Sequence, residues 1–185
     1  METTVGSGRF RVVRADASDA ALLAEIGART FVEAFAADND PADVERYVAE
    51  SFSVARLSAE LTASGSTFLL AYDDAAGDGV PVGYAHLRDG ANEHVEGRRQ
   101  VGLIRIYIEP ATIGRGYGSA LLRACLDVAA HDGFDTIWLG VWEHNHRARR
   151  FYEREGFRRV GDQAFVLGAN VQTDHIMARA VRPVR

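Results

Sequence analysis

The stretch from Leu103 to Ala130 constrains this chain more than any other. Leu103-Ile104-Arg105-Ile106-Tyr107-Ile108-Glu109 alternates aliphatic with other side chains and is rich in β-branched residues, the pattern of a strand. From Ala120 to Ala130 the apolar positions Leu121, Leu122, Cys125, Leu126 and Ala129 recur at the helical period. Pro110 to Ile113 and then Gly114-Arg115-Gly116-Tyr117-Gly118-Ser119 lie between them, the latter with three alternate glycines. A strand, a glycine-rich turn and a helix start predict an anion site. Backbone N–H groups point outward there, and the helix dipole favours negative charge.

Three phosphate-binding readings compete for this turn. A P-loop needs Gly-Lys-Ser/Thr, and the chain contains no lysine, so that reading is excluded. A dinucleotide fingerprint needs Gly-x-Gly-x-x-Gly directly after a strand; here Pro110 to Ile113 intervene and the spacing is Gly-x-Gly-x-Gly. It also needs an acidic residue ending the next strand, whereas Asp135 precedes that strand. A pyrophosphate loop for coenzyme A remains.

The rest of the chain reads as one α/β layer arrangement. Strands are expected at Phe10–Arg14, Thr67–Tyr72, Val82–Leu87, Leu103–Glu109, Asp135–Val141, Phe157–Leu167 and Asp174–Ala180. Asp16 or Ser18 caps a first helix carrying Leu22, Leu23, Ile26, Thr30 and Phe31, and Pro41 opens a second with Val44, Tyr47 and Val48. Val54–Leu61 and Asn145–Glu155 are further helices, the last closed by Gly156. No repeat or linker divides the 185 residues, so a single domain over 1–185 is expected. The net charge of −5 argues against a nucleic-acid partner. Cys125 sits on an apolar helix face and reads as a buried, inert thiol. Neither a signal peptide nor a membrane span is expected, which makes the cytoplasm the default location.

At two places the residues carry a family resemblance. Ile104 to Leu122 resembles the acyl-CoA binding motif of the GNAT superfamily of N-acyltransferases, a strand and Pro, a spacer, then [Gln/Arg]-x-x-Gly-x-[Gly/Ala]. Ile113 stands where Gln or Arg is usual. Asn145-His146-Arg147-Ala148-Arg149-Arg150-Phe151-Tyr152-Glu153-Arg154-Glu155-Gly156-Phe157 is similar to the family's C-terminal motif, Asn-x-x-Ala-x-x-Phe-Tyr-x-x-x-Gly-Phe. Both motifs in order, with a helix and a strand between, are more specific than either alone. More loosely, Thr30-Phe31 to Phe35, Asn39-Asp40-Pro41, Tyr47, Phe52, Glu60-Leu61, Phe165 to Gly168, Gln172-Thr173-Asp174 and Met177 resemble bacterial spermidine/spermine acetyltransferase-like members.

The resemblance implies a mixed, mostly antiparallel sheet of six to seven strands, flanked by helices and splayed at the CoA-binding strand. It implies acetyl-CoA as co-substrate, a small amine as acceptor and no metal, and it allows a homodimer, dimers being common in the family. It places Ile106, Tyr107 and Ile108 at the thioester and pantetheine arm, through amides freed by a bulge. It places Ile113, Gly114, Arg115, Gly116, Tyr117, Gly118 and Ser119 at the pyrophosphate, and Asn145 on the coenzyme. The matching Tyr of the family protonates the CoA sulfur, so Tyr152 is the candidate catalytic acid. Asn145, Ala148 and Tyr152 share one helix face by spacing. The base stays open among Glu109, Tyr107, His86, Glu33 and a water chain. Glu33, Asp38, Asp40, Glu45 and Glu50 could serve a polyamine or form solvated helix faces, and the second is favoured. His144-x-His146 lacks a third ligand at metal spacing. The alternatives are acetylation of a protein N-terminus or an antibiotic amine, and a non-catalytic acyl-CoA-binding module, which Ile113 keeps open.

Overall fold

A computed structural model describes residues 10–74 and 79–181. Seven strands form a sheet in the order β1-β2-β3-β4-β5-β7-β6. They are β1 (Phe10–Arg14), β2 (Ser66–Asp73), β3 (Val80–Asp89), β4 (Gln100–Ile108), β5 (Thr136–Trp142), β6 (Arg158–Leu167) and β7 (Asn170–Ala180). The five helices are α1 (Ala20–Phe35), α2 (Pro41–Ser51), α3 (Val54–Thr62), α4 (Tyr117–His131) and α5 (His146–Arg154). The β1–β2, β5–β7 and β6–β7 pairs are antiparallel, and β4–β5 is parallel. This is the mixed, mostly antiparallel sheet expected from the sequence.

The chain divides into two compact units. One comprises Met1–His86 with Arg105–Ala124, the other Leu87–Ile104 with Cys125–Arg185.

In the first unit the helix starts follow local rules. Asp16 accepts from Ser18 N–H while Asp19 reaches back to the Asp16 amide, a capping box on a single 3-10 turn that precedes α1. Asp40 caps α2 through the Ala42 and Asp43 amides, with Pro41 as the first helical residue. Ser53 caps α3. Helix α1 packs against α2 and α3, and α3 packs on β2. Leu23, Ile26, Phe31, Phe52, Leu57, Phe68, Leu70 and Tyr84 are buried in this unit. Each such side chain contributes about 1.5–3 kcal/mol of burial free energy.

In the second unit β5 pairs with β7 along its whole length, from Thr136↔Ala180 to Trp142↔Asp174. Its pairing with β4 runs only through Gln100↔Thr136, Val101↔Ile137 and Gly102↔Trp138. Beyond Gly102 this register ends, although β4 continues to Ile108 and β5 to Trp142. The β6–β7 hairpin turns on Gly168-Ala169, with Leu167 opposite Asn170. Its register shifts between Arg159 and Gly161, a bulge at Val160.

Candidate functional site

The glycine turn lies in the first unit. Pro110–Thr112 forms a 3-10 turn and Ile113 follows in extended conformation. Gly114 and Gly116 have φ of +87° and +89°, in the left-handed region that side chains rarely adopt. A Cβ on either would meet no heavy atom within 4 Å. The backbone conformation, not crowding, therefore demands glycine at both, and the space above them is open. The first bond of α4 runs from Ala120 N–H to Gly116 O at 3.1 Å. The amides of Tyr117, Gly118 and Ser119 consequently have no acceptor within the helix. The Arg115 amide is spoken for, bonding Thr112 O at 3.3 Å.

Tyr117 holds the turn in place. Its ring stacks on Phe10 at 5.2 Å and its hydroxyl donates to Asp73 Oδ2 at 2.5 Å. Donation to the Asp73 carboxylate raises the phenol above its ordinary pKa, while a hydrogen bond from Arg115 works the other way. Tyr117 is thus anchored to the ends of β1 and β2. Ile113 is exposed and its own amide bonds Pro110 O, so it presents no polar group.

Arg105 and Tyr107 take alternate positions in β4, and Glu109 follows its last residue. Each has a neighbour on or beside the helices. Arg105 forms an ion pair with Glu60 of α3, Tyr107 meets the Phe52 and Tyr84 rings at 6.0 and 5.5 Å, and Glu109 accepts from Arg29 of α1 at 2.6 Å. Gly83 of β3 lies so close that a Cβ there would sit 2.2 Å from the Tyr107 carbonyl oxygen. Only glycine lets β3 approach β4 at that point.

The base candidates have distinct surroundings. Glu109 is held by both Arg29 Nη2 and Nε. His86 is fully buried, stacked on Phe68 at 3.9 Å, with Nε2 2.8 Å from Ser66 Oγ. Glu33 is exposed on α1. Burial works to raise the Glu60 carboxyl, but Arg105, His86 and Arg56 override it and hold it below the usual Glu range. Among the acidic residues considered for a polyamine, Asp40 is occupied as the α2 cap, and Glu33, Asp38, Glu45 and Glu50 are exposed.

The second unit contains the other motif. Asn145 caps α5, its Oδ1 accepting from the Ala148 amide at 3.0 Å. Tyr152 is only 8% exposed and packs on Phe157 at 5.7 Å. Burial, with nearby Cys125, pushes its phenol well above the ordinary range, so it stays protonated. Cys125 is fully buried and its thiol is likewise raised by burial, which keeps it inert. Among the described residues no group of His, Cys, Asp and Glu is arranged to hold a metal, and no helix is long and apolar enough to cross a membrane.

These features agree with what comparison with known proteins finds. The sequence model of the Acetyltransferase (GNAT) family matches residues 28–157. The chain belongs to the GNAT acetyltransferase family. Its relatives include an uncharacterized N-acetyltransferase of Mycobacterium bovis, 36% identical over 88% of this chain and 97% of the relative. Another is an uncharacterized N-acetyltransferase of Lactobacillus delbrueckii subsp. lactis, 30% identical over 92% of this chain and 97% of the relative. The GNAT fold is shared with the PaiA N-acetyltransferase of Thermoplasma acidophilum, solved in complex with coenzyme A. That match has a TM-score of 0.74, at 21% identity over 92% of this chain and 98% of that one. The yncA acetyltransferase of Salmonella typhimurium, solved with acetyl-CoA, gives a TM-score of 0.64 at 21% identity, over 95% and 96% of the two chains. As a GNAT enzyme, the chain needs an acyl-CoA site and an acceptor site.

Proposed function

We propose that this GNAT N-acetyltransferase moves an acetyl group from acetyl-CoA to the primary amine of a small molecule, by direct attack of nitrogen on the thioester. The observation that carries the proposal is the Gly114–Ser119 turn. It combines left-handed glycines, open space above them and the uncapped amides of α4, which suits a pyrophosphate. Ile113 adds nothing there, so the backbone and Arg115 supply the attraction.

Acyl transfer to an amine has three needs: a deprotonated nitrogen, donors for the tetrahedral oxyanion, and a proton for the departing thiolate. The second is assigned to backbone amides of Ile106, Tyr107 and Ile108. The pairing of β4 with β5 stopping at Gly102 supports this, because it leaves the end of β4 outside that register. The third is assigned to Tyr152. Burial keeps the phenol neutral beforehand, and a thiolate formed beside it is the base that takes its proton. Asn145 spends its Oδ1 on the helix cap, so its contact with the coenzyme is assigned to Nδ2. The working unit in this reading is one acetyltransferase domain over 1–185, in the cytoplasm, with a homodimer as its assembly.

The polyamine subgroup is the finer form of the proposal, supported by the looser resemblance of Thr30-Phe31 to Phe35, Asn39-Asp40-Pro41, Tyr47 and Phe52 to spermidine/spermine acetyltransferase-like members. A thiol-release assay with acetyl-CoA and a panel of amines tests both levels. Amine-dependent release supports the enzyme, and a preference for spermidine or spermine over monoamines supports the subgroup. If no amine raises release above buffer, the enzyme reading fails.

A further inference from the structure

The backbone bonds of the glycine turn are local. Thr112 N–H to Glu109 O at 2.8 Å, Ile113 N–H to Pro110 O at 3.2 Å and Arg115 N–H to Thr112 O at 3.3 Å each reach back a single turn of chain. Tyr117 instead reaches across the first unit. Its hydroxyl donates to Asp73 at the end of β2, 44 residues away, and its ring stacks on Phe10 of β1. The same phenol oxygen takes a hydrogen bond from the Arg115 side chain.

Three groups therefore stand in line. A guanidinium only donates and an ionised carboxylate only accepts, so the directions are fixed: Arg115 to the Tyr117 hydroxyl, and the hydroxyl to Asp73. A hydroxyl whose proton is drawn toward a carboxylate is a stronger acceptor at its oxygen, so Asp73 strengthens the bond from Arg115. The neighbouring carboxylate, Asp74, is engaged elsewhere, with Arg11 at 3.4 Å.

Arg115 is exposed and lies between Gly114 and Gly116, whose left-handed backbone leaves open space above the turn. Ile113 offers no polar group, so Arg115 is the cation of the turn. A long, exposed side chain loses rotamer freedom when it meets a phosphate, and one held in place beforehand loses less.

We propose that Asp73 and Tyr117 are positioning residues for the coenzyme: through the phenol hydroxyl, Asp73 holds the Arg115 guanidinium where it meets the pyrophosphate of acetyl-CoA. This rests on the acetyltransferase reading above. Neither side chain takes part in acyl transfer, so their loss acts on coenzyme affinity and not on the chemical step.

The test is calorimetric titration with CoA, alongside steady-state kinetics with acetyl-CoA and the best amine of the panel. Tyr117→Phe keeps the ring on Phe10 and removes the hydroxyl. It should raise the Kd for CoA about fivefold or more, with the loss appearing in KM for acetyl-CoA rather than in kcat. Arg115→Ala should raise Kd at least as far. Adding Tyr117→Phe to Arg115→Ala should change Kd no further, because the hydroxyl acts through the guanidinium. Asp73→Asn retains an acceptor for the hydroxyl and should recover most of the affinity that Asp73→Ala loses. A Tyr117→Phe enzyme with a Kd within about twofold of wild type overturns the assignment while leaving the acetyltransferase standing. So do losses that multiply in the double variant, and so does a Tyr117→Phe enzyme whose kcat and melting temperature fall together with CoA affinity. A wild type that binds no CoA overturns both.

Discussion

Replacing Gly116 by Ala separates what the glycine turn does for the fold from what it does for the ligand. Gly116 has φ of +89° and a Cβ there would meet nothing within 4 Å, so the substitution introduces no clash. Its cost is the left-handed backbone alone, about 1–2 kcal/mol. At this chain length each kcal/mol moves Tm by roughly 2–4 °C, so the expected fall is roughly 2–8 °C. The methyl group also enters the open space assigned to the pyrophosphate. Calorimetric titration with CoA should therefore show a Kd raised about tenfold or more, a loss of about 1.4 kcal/mol. Gly133→Ala is the control. Gly133 has φ of +79° at the end of α4, where a Cβ would press only on the Arg99 guanidinium at 2.9 Å. It carries the same backbone cost outside the turn and should leave CoA binding unchanged. If Gly116→Ala loses stability as Gly133→Ala does yet binds CoA like wild type, the turn does not hold the coenzyme.

Other consequences follow from the same geometry. Tyr152→Phe keeps the buried ring and removes the proton, so kcat should fall about 100-fold or more with CoA affinity unchanged; an unchanged rate removes Tyr152 from the mechanism. Arg105→Ala takes from the Glu60 carboxylate, whose side chain is only 12% exposed, its buried partner and leaves it the exposed Arg56, and should cost about 1.5–3 kcal/mol in urea unfolding. The double variant Arg105→Met with Glu60→Gln should cost less than Arg105→Ala, because it leaves no carboxylate short of its buried partner. Glu60 is held below its ordinary range when folded, so the unfolded chain takes up the proton first. Its stabilisation is complete above about pH 4.3 and is lost as pH falls through the folded value. Thermal melts of wild type and Glu60→Gln should therefore converge as the pH drops below that point; parallel curves would contradict the assignment.

The parts of the fold legible in the sequence are those written in local chemistry. The Asp40-Pro41 start, the Gly114 and Gly116 turn, the Asn145 cap and the buried Cys125 all came from single residues with one strong preference. Edges without an apolar signal were misplaced. Strand β7 begins at Asn170 rather than Asp174, because Asn170–Thr173 carries a single apolar residue, Val171, and that one faces solvent. Strand β4 begins at Gln100 rather than Leu103, because Gln100 spends its side-chain amide on Val95 O in the preceding loop, a partner that no pattern announces. At the candidate site the turn was legible, but the work of Tyr117 was not. Its stacking on Phe10 and its bond to Asp73 depend on contacts distant in sequence. Glu109 looked available as a base because nothing in the sequence places Arg29 beside it.

The most direct test of the account is a single-turnover reaction with acetyl-CoA carrying a carbon-13 carbonyl. The account predicts that the labelled carbonyl appears as an amide on the acceptor, matched one for one by free CoA thiol, at a rate that rises with amine concentration until the site is filled. Thiol release at the same rate with and without amine, or acetyl-CoA bound and recovered intact with every amine tried, would contradict it.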